Sequence, residues 1–173
     1  AAAGEAGQIL VFRVGHAGAP LTNAAFIDRF ATLFDPTILA KVGYALRDEW
    51  GITLEPLAHR DVCATGWALV SRDILPETTN LSYFDQDEIL SERSAAKGFG
   101  RRTAVEAVFD LVAYERCRGT RLLAEEQDWT SSRTVDGGIL TVGGFGPSGM
   151  QLVAFSTAVR HGRLGICPSR RLT

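Results

Sequence analysis

Residues 129–171 limit the fold more than any other stretch, because β-prone sequence is punctuated there at short intervals by glycine. The runs 129–135, 139–145, 150–157 and 163–167 are separated by Asp136-Gly137-Gly138, by Gly146-Pro147-Ser148-Gly149 and by His161-Gly162. Glycine reaches positive φ without steric penalty, and short connections between such runs pair sequential strands. The segment therefore reads as an antiparallel β-meander of about four strands. A sheet must cover its apolar face, and the long apolar stripes elsewhere in the chain have helical spacing. The expected fold is α+β: one domain over 8–173, the C-terminal meander covered by three to four helices, with one to three further strands from the N-terminal half.

A chain of 173 residues with 46% hydrophobic types supplies one well-buried core rather than two. The 18 basic and 20 acidic side chains leave a net charge of -2, so nothing global draws the chain to nucleic acid or to an anionic membrane. Three cysteines, Cys63, Cys117 and Cys167, form no close pair and leave one over in any disulfide scheme, which fits a reducing, cytoplasmic compartment. No apolar run reaches the roughly 18 residues needed to span a bilayer. The Ala/Gly-rich start, 1–7, has neither a basic region nor an apolar core and reads as a disordered lead.

Along the chain, Gln8-Ile-Leu-Val-Phe-Arg-Val14 reads as a first strand that ends at Gly15-His16-Ala17-Gly18. That glycine pair lacks the lysine and hydroxyl residue of a phosphate loop and the third glycine of a dinucleotide fingerprint, so it reads as a turn. Thr22 or Asn23 caps a helix carrying Phe26, Ile27 and Phe30, and Asp35-Pro36 starts a second one that runs through Trp50 to Gly51. Residues 52–57 read as a short edge strand and 66–71 as a better one. Asp85 caps a short helix with Glu88 three residues on, and the basic, glycine-containing 97–102 reads as a hinge. The clearest helix follows. Thr103-Ala-Val-Glu106 is a capping box, Val105, Val108, Phe109 and Val112 form the apolar stripe, and Gly119 lies past its end.

His59, Asp61 and Cys63 are the densest local group of reactive types, with His161 and Cys167 a second cysteine and histidine pair. A cysteine nucleophile needs a base in reach and a group to orient that base, which makes His59, Asp61, Cys63 and His161 the candidate catalytic set. The ligand spacing of a closed zinc site is missing, the calcium-loop pattern is absent around Asp85, Asp87 and Glu88, and no cofactor or metal is expected. Ser148 sits between strands rather than on a nucleophile elbow. Arg160, Arg163, Arg170 and Arg171 gather at the end of the meander, with Arg101 and Arg102 before the long helix. Guanidinium forks so placed hold phosphate or carboxylate, unless they form a solvated rim balanced by Glu125, Glu126 and Asp128.

No complete catalytic signature is present. The leading expectation is a non-catalytic domain for protein contact, by a protein partner or self-association, since Trp50, Trp67 and Trp129 leave apolar surface to spare. The alternatives are a small hydrolase or transferase at the Cys/His group, and a phosphate- or nucleic-acid-binding module using the C-terminal arginines.

Overall fold

The computed structural model describes residues 7–15, 19, 21–30 and 54–172. The expected second helix over 35–51, His16 and most of the N-terminal lead lie outside them. Strand β1 (Gln8–Arg13) is followed by α1 (Asn23–Arg29), α2 (Pro56–Arg60) and β2 (Gly66–Ser71), then by α3 (Tyr83–Lys97) and α4 (Ala104–Arg118). The chain closes with β3 (Gln127–Arg133), β4 (Ile139–Gly146), β5 (Gly149–Phe155), β6 (Leu164–Gly165) and β7 (Ser169–Leu172).

The ribbon forms as its turns dictate. β3, β4 and β5 pair antiparallel in sequence order, and β4 joins β5 through Pro147 and Ser148 alone. The fourth run departs from the expected zigzag: β6 lies on the far side of β3 and pairs with it in parallel. The reason is the length of the 156–163 connection, which is pinned outside the sheet where the Asn80 N–H donates to the His161 carbonyl. The chain then crosses to a second sheet, where β7 pairs with β2 and β2 with β1, all antiparallel. One apolar core spans both layers, running from Val11 and Val70 through Val105 and Val108 on α4 to Leu140 and Leu152. The molecule is thus a single α+β domain with α4 between two sheets.

Local chemistry explains most boundaries. Thr22 caps α1, its hydroxyl accepting from the Ala25 N–H. On α4 the Thr103 hydroxyl accepts from the Glu106 N–H and the Glu106 carboxylate from the Thr103 N–H, and Gly119 ends the helix at φ 65°. Three segments differ from expectation. Pro56 opens α2 as its first residue instead of ending a strand, because its fixed φ already suits a helix and its missing N–H would have had no partner there. α3 begins a turn earlier than Asp85: Ser82 is the cap and Asp85 its reciprocal partner, each backbone N–H donating to the other's side chain. The 97–102 segment is no hinge. Phe99 is buried, Gly100 exchanges two backbone hydrogen bonds with Ser169, and Arg101 donates to Asp87 and to the carbonyls of Tyr83 and Trp129.

Candidate functional site

Arg13 is the last residue of β1 and points inward with Val11, opposite Gly66. Its guanidinium donates to both oxygens of Asp110, at 3.0 and 2.7 Å, and to Glu106 at 2.9 Å. Glu106 and Asp110 are four residues apart on α4, so they share a face one turn apart. Arg102 bridges Asp110 (3.0 Å) to Asp128 on β3 (2.6 and 2.9 Å), and the other Asp128 oxygen accepts from the Cys167 N–H. Arg171 on β7 reaches Glu106 from the rim, at 3.0 Å. Three arginines face three carboxylates, all but Arg171 buried. Burial alone would lower the pKa of Arg13 and Arg102, but Asp110 and Glu106 at Arg13, and Asp128 and Asp110 at Arg102, outweigh it and hold both raised. Burial pushes Glu106 up, yet Arg13, the Thr103 N–H and Arg171 together hold it below its usual value. This chain of ion pairs fixes α4 against both sheets.

With the inner face so tethered, the outer face of the first sheet carries an apolar row beside the polar Gln8, Ser71 and Arg170. Phe12 lies opposite Trp67 and Trp67 opposite Leu172, while Leu10 lies opposite Leu69 in the next row. Leu10, Phe12, Trp67 and Leu172 are 57%, 46%, 49% and 38% exposed, and the Phe12 and Trp67 rings stack tilted, 4.9 Å between centroids. A contiguous row of this kind marks an interaction surface more often than isolated apolar residues do.

The proposed catalytic group separates. His59 is exposed at the end of α2, and Asp61 lies one residue past it, where its carboxylate accepts from Arg60 and from the Ser132 hydroxyl at 3.3 Å. Cys63 is 3% exposed and belongs to the main core. Burial, offset in part by Arg13, pushes its thiol up to about 12, which disfavours the thiolate that a nucleophile needs. His161 stands on the connection between β5 and β6, its Nδ1 accepting from the Arg163 N–H, in a groove of about 390 Å³ that contains neither His59 nor Cys63.

The four C-terminal arginines also divide. Arg160 and Arg163 share the His161 groove, where Arg160 pairs with Asp85 at 2.8 Å and Arg163 with Glu125 at 3.5 Å. Arg170 and Arg171 belong to the other sheet, Arg170 lying over the Phe99 ring and donating to the Lys97 carbonyl. The balancing carboxylates are therefore Asp85, Glu125 and Glu106, whereas Asp128 is buried against Arg102.

No protein-family model, curated protein or solved structure matches this chain. Among the described residues no group of three or more His, Cys, Asp or Glu could hold a metal ion, and no helix is long and apolar enough to cross a membrane. Motifs alone do not reveal Arg13 and Asp110, nor the buried role of Glu106 and Asp128. Their signal was an arginine inside an apolar strand and two acids at i, i+4 on the best helix.

Proposed function

We propose that this protein is a non-catalytic interaction or assembly domain that meets another polypeptide, a partner or its own copy, through the outer face of the β1, β2, β7 sheet. The observation that carries this reading is the row Phe12, Trp67, Leu172, with Leu10 beside it, open to solvent on a sheet whose inner face is anchored by buried ion pairs. Aromatic and aliphatic side chains held on a rigid sheet lose little conformational freedom on contact, which suits them as interface anchors. Three unpaired thiols are in keeping with a cytoplasmic setting.

A photo-crosslinking residue placed at Trp67, compared with one at Asp136 on the far hairpin, tests the reading. A discrete crosslinked species is expected from the first position and not the second, and Phe12→Ser should reduce its yield at least tenfold. A protein that stays monomeric by light scattering and gives no discrete product from either position would overturn it. The His161 groove carries a second reading, as a site for a phosphate-like anion, because Arg160, Arg163 and His161 line it together. Titration with inorganic phosphate, followed through the His161 ring protons, separates the two: no shift up to tens of millimolar removes the anion site.

A further inference from the structure

Among the described residues the edge of β1 away from β2 is unpaired, and it adds something that the sheet face does not. The Arg72 N–H donates to the Gly7 carbonyl, so Gly7 and Arg72 are a hydrogen-bonded pair in the register that sets Gln8 opposite Ser71. Antiparallel pairs alternate, which makes Ile9, Val11 and Arg13 the residues whose backbone bonds to β2. Gln8, Leu10 and Phe12 therefore turn their N–H and carbonyl groups away from β2. Among the described residues β1 has no neighbour on that side.

What lies there is a groove of about 590 Å³. It is lined by all five residues 8–12 of β1 and, across from them, by Phe109, Ala113, Tyr114, Cys117 and Arg118 of α4. Five consecutive strand residues can line one groove only if it runs along the strand's edge, since a groove over either face would be lined by alternate residues. The α4 residues recur at helical spacing, so they form one wall. Along the stretch that lines the groove, Gln8, Ile9, Leu10, Val11 and Phe12 include no charge, no proline and no bulge. The one charge of the strand, the inward-pointing Arg13, lies beyond the groove at the strand's end and is paired with Asp110 and Glu106.

Direction follows from the ion pairs. Arg13 is held by Glu106 and Asp110, so the C-terminal end of β1 lies by the first half of α4, and Gln8 points towards Cys117 and Arg118. A strand added antiparallel to β1 then brings its C-terminal end to Arg118. Among the described residues Arg118 is the one charged side chain lining the groove, and it has no ion-pair partner there. A parallel strand would set an amino terminus there instead.

We propose that the groove between β1 and α4 receives the extended C-terminal segment of a partner polypeptide as an added antiparallel strand, its terminal carboxylate on Arg118. Backbone groups of Leu10 and Phe12 bond the segment, and alternate side chains of it face the α4 wall and solvent. A segment of about six residues matches the length of β1. This rests on the interaction reading above and names the partner's form.

The test uses the full chain and a displayed heptapeptide library with free C-terminal carboxylates. Enriched peptides are expected to protect the Leu10 and Phe12 amides from hydrogen exchange and to slow alkylation of the exposed Cys117 at least tenfold. C-terminal amidation of the peptide, or Arg118→Glu, should weaken binding about tenfold. Leu10→Pro removes a free-edge N–H while sparing the bonds to β2, and should abolish binding. N-methylation of alternate peptide amides tests the same bonds on an unaltered protein should that variant fold poorly. Failure to enrich any peptide, binding unaffected by N-methylation, or protection confined to the Trp67 face would overturn the proposal. So would a dimer whose Leu10 and Phe12 amides are already protected. In the last two cases the interaction reading still stands, whereas the absence of crosslinks at Trp67 would count against that reading alone.

Discussion

At the scale of single residues, the three cysteines divide cleanly by environment. Cys117 is exposed, whereas Cys63 and Cys167 are buried and burial drives both thiols upward, Asp128 adding to the shift at Cys167. A thiol-disulfide reagent at neutral pH should titrate one equivalent in the native protein and three after denaturation, and Cys117→Ser should remove the native signal. Reaction of a second thiol before unfolding would contradict the burial of Cys63 and Cys167. Glu106 makes a prediction in pH. Its folded pKa lies below the unfolded value of about 4.3, so its stabilisation is complete above that value and is lost as pH falls through the folded pKa. Urea unfolding between pH 3 and 7 should show the gap between the parent and Glu106→Gln closing on the acid side. A constant gap would mean that the carboxylate's ionisation is irrelevant to its role.

At the scale of elements, α4 depends on its cap and on the charges behind it to different degrees. Thr103→Ala removes one hydrogen bond to the Glu106 N–H and should cost about 1 kcal/mol by chemical denaturation. The capping box, the apolar stripe and the terminal Gly119 of this helix were all legible in the sequence, because each depends only on neighbours within a few residues. The hairpins of β3, β4 and β5 were legible for the same reason, through Gly137 and the Gly146 to Gly149 turn. The buried acids were not. Helical periodicity puts Val105 and Val108 inside, but nothing local shows that Glu106 and Asp110 go inside too, since Arg13 comes from β1 and Arg102, although it lies just before α4, is itself turned inward by Asp128 on β3. β1 hid its orientation as well: Ile9 and Val11 on one face and Leu10 and Phe12 on the other are equally apolar, so alternation could not tell core from surface. β7 was missed as a separate strand because Ser169, Arg170 and Arg171 lack β-prone character and pair with β2, about a hundred residues earlier. Cys63 looked reactive by composition, and only burial decides otherwise.

At the scale of the whole molecule, Asp110 is where the two sheets and the helix between them are joined. Asp110→Ala takes one of two carboxylate partners from each of two buried guanidiniums, leaving Arg13 to Glu106 and Arg102 to Asp128, and should cost about 3 kcal/mol. That is a large fraction of the stability of a domain this size, so the urea midpoint should fall steeply while a single cooperative transition is retained. A loss under about 1 kcal/mol would show that water enters the network and solvates the arginines.

The late arrival of β7 has a consequence for biosynthesis. On the ribosome, β1 and β2 emerge well before β7, and a two-stranded ribbon is marginal by itself. Until β7 docks, β2 keeps a bare edge beside Trp67, and Arg171 has yet to reach Glu106. The nascent protein therefore carries this sheet unfinished from the emergence of β2 until that of β7, and that interval is when a chaperone would engage it.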